Sequence, residues 1–302
     1  MNQAAVNPGR HHGAAGGLTV VKYGGHAMTD PAAQRAFAVE MRELVSQGCP
    51  IAIVHGGGPQ VNAMLDRLGI ESEFVAGQRA TSAAAMDVVR MVLVGQVRSE
   101  LVGLLNDVGV PTVGLSGEDA GLLIAEQFRP LINGEHVDIG QVGEVTEVRP
   151  AVVQDLLAAG YLPVISTIAR GRDGRPYNVN ADIAAGALAG ALAADRLIVL
   201  TDVAGVYRAW PDESTLIAET TATELRELLP SLAAGMIPKV QGCLAAVDAG
   251  VPVTHVIDGR VAGATTSIVR GGRLGTAIVD DSPVDRRSDD TAVSLESSRS
   301  RP

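Results

Sequence analysis

The chain has 302 residues, of which 46% are hydrophobic and 19% are charged, and its formal net charge is −10. This length and apolar content suit one large domain or two modest domains with a full core. A net acidic chain without a compensating basic segment is a poor partner for nucleic acid or for an anionic membrane surface. The two cysteines, Cys49 and Cys243, lie far apart in apolar surroundings. They predict buried free thiols rather than a disulfide framework or a metal cluster.

The two ends of the chain differ in composition from the rest. Residues 1–17 are rich in Gly and Ala and lack the apolar core of a signal peptide, whereas residues 281–302 are rich in Ser, Asp and Arg. We therefore predict a flexible N-terminal segment at 1–17 and a disordered tail at 281–302. The longest apolar run, 183–194, is shorter than the ~20 residues of a membrane span. The sequence predicts a soluble, cytoplasmic protein without a membrane partner.

From Leu18 onward, short runs rich in β-branched residues alternate with helical patterns. This alternation predicts an α/β fold built of βαβ units around a mostly parallel central sheet. Strands are expected at 19–23, 51–55, 111–115, 162–165, 197–200 and 253–257.

Glycine-rich loops follow the first two expected strands. KYGG occupies 22–25, and HGGG occupies 55–58 directly before a helical stretch at 59–68. Glycine exposes its amide without obstruction by a Cβ and tolerates positive φ, and the first N–H groups of a helix lack partners, so such a junction can bind an oxyanion. A tight turn needs only one or two glycines, and the triplet therefore favours a bound anion. Neither loop has the P-loop or the dinucleotide-binding pattern.

The longest helical pattern spans 82–106, with Ser82 as its expected N-cap. Gly95 in its interior costs about 1 kcal/mol relative to Ala, so we expect close approach of another element there. The pattern is consistent with core packing or with a subunit contact. Further along, Asn133-Gly134 signals a hairpin turn, which could belong to a lid or to a structural ribbon.

Polar and charged residues also stand at other ends of the predicted elements. Lys22 lies at the carboxyl end of its strand, where ligands of open α/β sheets bind, although a solvated surface lysine is equally consistent with this residue alone. In YNVNAD (177–182), Asn180 or Asp182 could be a helix cap, but two asparagines and an aspartate exceed what a cap requires. Lys239, in GMIPK, would by itself be read as solvated. It gains significance only beside Lys22.

In chain order, the motifs KYGG, HGGGPQ, GQRAT, YNVNAD, LTDVAGVY and GMIPK resemble those of the amino acid kinase superfamily, and specifically of the N-acetyl-L-glutamate kinase family. The resemblance covers about residues 18–279. GQRAT at 77–81 and GEVT at 143–146 favour this family over the carbamate and aspartate kinases. The resemblance implies a three-layer αβα sandwich in two lobes. The N-terminal lobe, 18–170, would bind the acyl amino acid and form a dimer, and the C-terminal lobe, 171–280, would bind ATP.

The same resemblance implies ATP-dependent phosphorylation of the side-chain carboxylate of N-acetyl-L-glutamate to N-acetyl-L-glutamyl 5-phosphate, the second step of arginine biosynthesis. A glutamate-like carboxylate has a pKa of about 4.3, so it is ionised at neutral pH and needs no general base. The site must supply positive charge and positioning, because the carboxylate has to approach an anionic phosphoryl group. Mg2+ is expected to bind through the nucleotide phosphates and water rather than to a protein ligand cluster.

Individual roles are also implied by the resemblance. Lys22 and Lys239 would stabilise charge on the transferring group, and Asp182 would orient both lysines. Arg79 would pair with the α-carboxylate in a bidentate geometry that lysine cannot copy. The substrate-contacting residues would be Gly57, Gly58, Arg79 and Asn178. The ATP-binding residues would be Gly24, Gly25, Thr201, Asp202, Gly205, Val206, Tyr207, Gly235 and Met236.

The chain departs from the arginine-inhibited, hexameric members of the family, which carry an apolar N-terminal helix where this chain has its Gly/Ala-rich start. We therefore expect a homodimer and weak or absent inhibition by arginine. Two other functions stay open. One is a kinase of a related acyl amino acid, such as N-acetyl-aminoadipate or a carrier-bound analogue, and the other is a non-catalytic amino-acid or nucleotide sensor on the same fold. The presence of both lysines and Asp182 argues against a sensor.

Overall fold

The computed structural model describes residues 16–281, without the side chains of His26 and Ala27. The segments predicted to be flexible at 1–17 and disordered at 281–302 therefore lie outside the described residues, except for their innermost positions. The strands are β1 Thr19–Tyr23, β2 Ile51–His55, β3 Phe74–Val75, β4 Gln78–Arg79, β5 Thr112–Ser116, β6 Leu123–Gln127, β7 Leu131–Ile132, β8 Glu135–His136, β9 Val142–Val148, β10 Leu162–Ser166, β11 Ile168–Gly171, β12 Pro176–Val179, β13 Arg196–Thr201, β14 Glu219–Thr221, β15 Val253–Asp258 and β16 Thr276–Val279.

The α-helices are α1 Pro31–Ser46, α2 Gly58–Leu68, α3 Ala83–Arg90, α4 Arg98–Asp107, α5 Ala151–Ala158, α6 Ala181–Ala191, α7 Ala222–Leu228, α8 Ile237–Asp248 and α9 Ala264–Val269. A π-helical segment, Met91–Val97, joins α3 to α4. Short 3-10 turns occupy Gly25–Met28, Asp119–Gly121, Glu213–Thr215 and Leu229–Ser231.

An eight-stranded sheet forms the centre of the molecule, in the order β14-β16-β15-β13-β1-β2-β10-β5. Every neighbouring pair in this sheet is parallel except β15 and β16. The prediction of a mostly parallel sheet is confirmed. The predicted ranges of β1 and β2 match the observed bounds, and the other expected strands agree to within about a residue at each end, as is usual for element boundaries.

Helices cover both faces of this sheet. Successive side chains of a strand point to opposite sides, and the apolar side chains on each side are buried against helices. Val20 packs into a cluster with α5, α6, α7 and α8, whereas Val21 packs into one with α1, α2, α3, α4 and α9. The result is a helix–sheet–helix sandwich. The carboxyl ends of β1, β2 and β13 lie side by side in it, since these strands are adjacent and parallel.

Outside the central sheet, β6, β9, β11 and β12 pair into a small closed barrel, and two hairpins are formed by β3–β4 and β7–β8. The predicted hairpin turn at Asn133-Gly134 is confirmed between β7 and β8. Its two residues have φ values of 51° and 85°, which is the left-handed region that a two-residue hairpin turn requires.

The predicted helix at 82–106 is confirmed as the run from α3 through the π-helical segment to α4. Ser82 is its N-cap, because its side chain accepts a hydrogen bond from Ala85 N at 3.2 Å. The expected close approach at Gly95 is wrong within the described chain, since a Cβ added there would meet no atom within 4 Å. Gly95 lies instead in the π-helical segment, a rare geometry that occurs often near functional sites.

Cys49 and Cys243 are buried free thiols, as predicted. Burial raises the pKa of Cys243 to about 12, because the thiolate would be removed from water. Along the described part of the chain, no helix has both the length and the apolar character needed to cross a bilayer.

Candidate active site

Asp182 lies between the two lysines that the sequence singled out. Lys22 Nζ is 2.9 Å from Asp182 Oδ1, and Lys239 Nζ is 3.6 Å from Asp182 Oδ2. The side chains of Lys22 and Asp182 are 7% and 6% exposed, and that of Lys239 is 19% exposed. The structure thus brings together three residues from β1, α6 and α8, at the carboxyl edge of the sheet.

Local capping places Asp182 in the first turn of α6. Asn180 is the N-cap, and its side-chain oxygen accepts hydrogen bonds from Asp182 N at 2.8 Å and Ile183 N at 3.3 Å. Of the two alternatives considered for this segment, Asn180 is therefore the cap. The Asp182 carboxylate is left for the lysines.

The reach of Lys239 to Asp182 depends on a close contact between α6 and α8. A Cβ on Gly186 would lie 2.2 Å from Gly242 O, and a Cβ on Gly242 would lie 2.2 Å from Asp182 O. No real Cβ fits at such distances, so the two helices pack backbone against backbone at these glycines. This packing sets how far Lys239 stands from Asp182.

The electrostatics of the cluster are dominated by the lysines. Burial alone would raise the pKa of Asp182, but the adjacent charges of Lys22 and Lys239 outweigh it and hold that pKa below its usual value. Two ammonium groups thus face one carboxylate in a largely buried setting. Such an arrangement has positive charge left over for an anionic group that enters it.

Glycines surround the lysine ends. A Cβ on Gly24 would lie 2.8 Å from Lys22 Nζ, so a larger residue at this position would force the Lys22 ammonium group to move. Gly25 follows with φ 71°, a left-handed conformation. Lys239 Nζ donates a hydrogen bond to Gly235 O at 3.1 Å, and Met236 begins α8 as its N-cap. Of the residues predicted to bind ATP, Gly24 and Gly25 therefore lie beside Lys22, and Gly235 and Met236 lie beside Lys239.

The glycine triplet lies at the N-terminus of α2. Gly57 is the N-cap and Gly58 the first residue of the helix, and their N–H groups are available to a ligand because the first N–H groups of a helix have no intrahelical partner. None of the three glycines has a left-handed φ. Gly57 is required for close packing instead, because a Cβ there would lie 2.5 Å from Leu93 Cδ2. The triplet also borders α6, since a Cβ on Gly56 would lie 3.7 Å from Ala181 Cβ.

Arg79 is held rigidly beside α2. Its Nη1 donates to Ser72 Oγ at 2.7 Å, its Nη2 donates to Asn62 Oδ1, and its guanidinium carbon lies 4.7 Å from the centre of the Phe74 ring. Burial lowers the pKa of Arg79, whereas the negative charge of Asp66 raises it in part. Arginine stays protonated in proteins at neutral pH.

Asn178 is linked to Arg79 through Thr81. Asn178 Nδ2 donates to Thr81 Oγ1 at 3.4 Å, and Thr81 Oγ1 donates to Arg79 O at 2.7 Å. The sequence motifs assign no supporting role to Thr81, Asn62 or Ser72, although GQRAT contains Thr81. Asn62 had a signal, because it lies one helical turn after Gly58 and so shares a face of α2 with it.

The predicted ATP residues of 201–207 divide into two groups. Thr201 and Asp202 lie at the carboxyl end of β13, where Thr201 Oγ1 donates to Asp202 Oδ1 at 3.2 Å. Val206 is fully buried, its N–H donates to Thr276 Oγ1 at 2.8 Å, and its carbonyl accepts from Ile217 N at 2.9 Å.

Gly205 packs against Thr276, and the ring of Tyr207 packs edge-on against Trp210. Backbone packing in this segment therefore accounts for Gly205 and Val206 without a ligand.

Composition contains a second, simpler signal for the site. Lys22 and Lys239 are the only lysines among the 24 Lys and Arg residues of the chain, and both lie at Asp182. Lysine carries a compact point charge on a flexible stem, whereas arginine carries a planar fork. A chain that otherwise uses arginine for every basic position thus has lysine only in this cluster.

Comparison with known proteins identifies the family. The family model described as the amino acid kinase family matches residues 17–258. The chain belongs to the amino acid kinase family. The acetylglutamate kinase of Corynebacterium urealyticum is 53% identical over 266 residues, which is 88% of this chain and 88% of that protein. The acetylglutamate kinase of Salinispora tropica is 56% identical over 248 residues, which is 82% of this chain and 84% of that protein.

Solved structures share the fold at low identity. N-acetylglutamate synthase from Neisseria gonorrhoeae, complexed with coenzyme A and N-acetyl-glutamate, superposes with a TM-score of 0.76 at 22% identity. The match covers 88% of this chain and 60% of the synthase chain. Carbamate kinase from Giardia lamblia bound to AMP-PNP superposes with a TM-score of 0.66 at 20% identity, over 88% of this chain and 99% of that one. The amino acid kinase fold predicted from the motifs is confirmed.

Proposed function

We propose that the chain transfers the γ-phosphoryl group of ATP to the side-chain carboxylate of N-acetyl-L-glutamate, giving N-acetyl-L-glutamyl 5-phosphate in arginine biosynthesis. The observation that carries this proposal is the cluster of Lys22, Asp182 and Lys239 beside the glycine triplet of α2. The substrate class is supported by relatives named acetylglutamate kinase at 53% and 56% identity.

The chemical step needs position and charge more than proton transfer. An oxygen of the ionised substrate carboxylate attacks the γ-phosphorus, the bond from that phosphorus to the bridging oxygen of ATP breaks, and ADP leaves with the electron pair. Lys22 and Lys239 stabilise the charge on the transferring group, and Asp182 holds their ammonium groups in place. The described site accordingly needs no Ser/His/Asp or Cys/His nucleophile set.

On the substrate side, we assign the N–H groups of Gly57 and Gly58 to the attacking carboxylate and Arg79 to the α-carboxylate. Arg79 has five N–H donors, so donors are left after those that bind Ser72 and Asn62. Asn178 completes this side through its link to Thr81. These residues belong to the proposed N-terminal lobe, 18–170, and to the start of the C-terminal one.

On the nucleotide side, we assign the phosphates to the amides of Gly24 and Gly25. We assign the adenine and ribose to the surface around Thr201, Asp202, Tyr207, Gly235 and Met236, whereas Gly205 and Val206 support this surface through backbone packing. Most of this surface belongs to the proposed ATP lobe, 171–280. No group of three or more His, Cys, Asp or Glu residues suited to a metal ion occurs among the described residues. Mg2+ would be held mainly by the nucleotide phosphates and water.

A homodimer is part of this proposal. The run from α3 through α4 presents Met91 at 58% exposure, and Gly95 four residues on is open to solvent. We place the contact with a second copy of the chain on this run, in keeping with the subunit contact that its helical pattern allows.

The test is a kinase assay that detects the product as well as ADP. Purified full-length protein is supplied with ATP, Mg2+ and one of four acceptors: N-acetyl-L-glutamate, N-acetyl-aminoadipate, aspartate or glutamate. Hydroxylamine traps an acyl phosphate as a hydroxamate, which excludes simple ATP hydrolysis. We expect hydroxamate with N-acetyl-L-glutamate at the highest kcat/KM, and its formation at least about 100-fold slower from a Lys239→Ala preparation purified in parallel.

Higher kcat/KM with N-acetyl-aminoadipate would replace the proposed substrate by its longer analogue. Binding of ATP and acetylglutamate by calorimetry without any turnover would identify a sensor instead of a kinase.

A further inference from the structure

His55 is a buried histidine that the mechanism above leaves without a task. It ends β2, its exposed fraction is 0%, and its Nδ1 lies 2.7 Å from Gly56 O. Its Nε2 is buried and has no hydrogen-bond partner among the described residues. A polar side chain that is buried with one nitrogen unpaired costs free energy, so its presence beside the glycine triplet calls for a reason.

The protonation state of the imidazole follows from its surroundings. Burial lowers the pKa of His55 to about 4. The hydrogen bond to Gly56 acts in the opposite direction and raises this pKa, whereas the positive charge of Arg98 lowers it further. The ring is therefore neutral at pH 7 and carries a proton on one nitrogen only. Because a carbonyl oxygen can only accept, Nδ1 holds that proton and donates it to Gly56 O.

This hydrogen bond sets the orientation of one peptide group. The peptide between Gly56 and Gly57 is trans, as are all peptides of the described residues except Trp210-Pro211. In a trans peptide the C=O and the following N–H point in opposite directions. With Gly56 O turned to the imidazole, the Gly57 N–H points away from His55.

The other polar groups of this turn are already occupied. Gly56 N donates to Tyr23 O at 2.9 Å, and Gly57 O accepts from Val61 N at 2.9 Å. Leu93 and Val97 pack against the Cα of Gly57, since a Cβ there would lie 2.5 Å from Leu93 Cδ2 and 3.2 Å from Val97 Cγ2. No acceptor in the described chain engages the Gly57 N–H.

Glycine by itself would not keep this geometry. A peptide between two glycines rotates easily, because neither residue has a Cβ to restrict φ and ψ. Donors that stabilise a reacting oxyanion are effective only when they are already oriented. The bond from Nδ1 to Gly56 O supplies the constraint that the glycines lack.

We propose that His55 is a positioning residue, which fixes the Gly56–Gly57 peptide so that the Gly57 N–H is presented to the attacking carboxylate of the acyl amino acid. This inference rests on the proposed function of the site. His55 contacts neither substrate nor nucleotide and acts only through the peptide that it orients. The π-helical segment assists it by placing Leu93 and Val97 against Gly57.

The test compares three variants of His55 in the full-length protein. Asn places an amide N–H where Nδ1 stands, Leu has the same branching without a donor, and Gln moves its amide to the position of Nε2. We expect His55→Leu and His55→Gln to lower kcat by about 10- to 100-fold, since deleting an oriented donor outright costs about 10²–10³ in kcat. His55→Asn should stay within about threefold of the wild type because it restores that donor.

Two further readouts separate positioning from folding. The KM for ATP should stay within about twofold in all three variants, because the change affects the acceptor side. Thermal unfolding shows whether each variant is folded. If His55→Leu does not fold, His55→Gln replaces it as the variant without a donor at the position of Nδ1.

Equal kcat in the Asn, Leu and Gln variants, whether all high or all low with an intact fold, would overturn the inference. Wild-type protein that phosphorylates none of the acceptors would instead refute the proposed function.

Discussion

Asp182 shows how a single residue can organise the charges of a site. A lone buried carboxylate would tend to be protonated, but with Lys22 at 2.9 Å and Lys239 at 3.6 Å its pKa stays below the usual value. It keeps both ammonium groups close together despite their mutual repulsion. The two cations can then act jointly on one phosphoryl group.

Lys22→Ala and Lys239→Ala should each lower kcat by at least about 100-fold, with smaller effects on the KM for acetylglutamate. Their charge is needed most when the phosphoryl group lies between donor and acceptor, and removing such a group typically costs about 10²–10³ in kcat. Steady-state kinetics would measure this. Arg42→Ala, which removes an exposed cation from α1, is the matched control. Near wild-type kcat in either lysine variant would contradict the assignment of both lysines.

Arg79→Lys should raise the KM for acetylglutamate at least about tenfold, since losing one hydrogen bond of a charged pair costs about 1.5–3 kcal/mol. The planar fork that Ser72 and Asn62 hold would be replaced by a point charge. The KM for ATP should not change. Arg67→Lys, on the exposed face of α2, is the control for replacing an arginine by a lysine outside the site. A loss of ATP affinity instead would place Arg79 on the nucleotide side.

Among the elements, α6 and α8 determine the site most directly. Asp182 lies in the first turn of α6 and Lys239 in the first turn of α8, and the two helices touch at Gly186 and Gly242. The loops after β1 and β2 adjoin because these strands are neighbours, with Tyr23 in register with His55. The distance between α6 and α8 thus determines where Lys239 lies relative to Asp182, and the strand order brings the two glycine-rich loops together.

Gly242→Ala should lower both stability and kcat. The new Cβ would lie 2.2 Å from Asp182 O, so α8 must move away from α6 and carry Lys239 with it. Overpacking of this kind costs about 1–3 kcal/mol of unfolding free energy. Denaturant unfolding and kinetics measure the two effects.

Gly103→Ala is the matched control, because that glycine lies inside α4 and its added Cβ meets no atom within 4 Å. It should stabilise the protein by about 0.5–1 kcal/mol through helix propensity. Equal effects of the two substitutions would mean that α6 and α8 are not held at contact distance.

At the scale of the whole molecule, the parallel sheet collects the ends of β1, β2 and β13 at one edge, between two layers of helices. The glycine loops and the lysines open toward that edge. The long helix run through Met91–Val97 lies on one face, with Leu93 and Val97 turned inward against Gly57 and Met91 turned outward. One segment can therefore serve the site and a subunit contact at once.

Light scattering should show a dimer, and Met91→Glu should shift it toward monomer, because a charge would enter an apolar contact. Leu131→Glu, at a residue that is 65% exposed in the β7–β8 hairpin, should leave the dimer intact. A hexamer would contradict this prediction.

The sequence by itself determined the local elements and the family. Strands β1 and β2, the Ser82 cap and the Asn133-Gly134 turn follow from short-range patterns of side-chain size and backbone preference, which neighbouring residues impose on one another. The amino acid kinase fold was identified differently, through the resemblance of the ordered motifs to those of a known family.

Only the tertiary structure decided how distant residues meet. It showed that Asn180 is the cap while Asp182 holds two lysines, that Gly57 is needed for packing against Leu93 rather than for positive φ, and that His55 binds Gly56 O. It also put Gly95 in an open π-helical segment where sequence reasoning expected a contact. These features depend on distances between elements, which arise from packing across the sheet and leave no periodic trace in the chain.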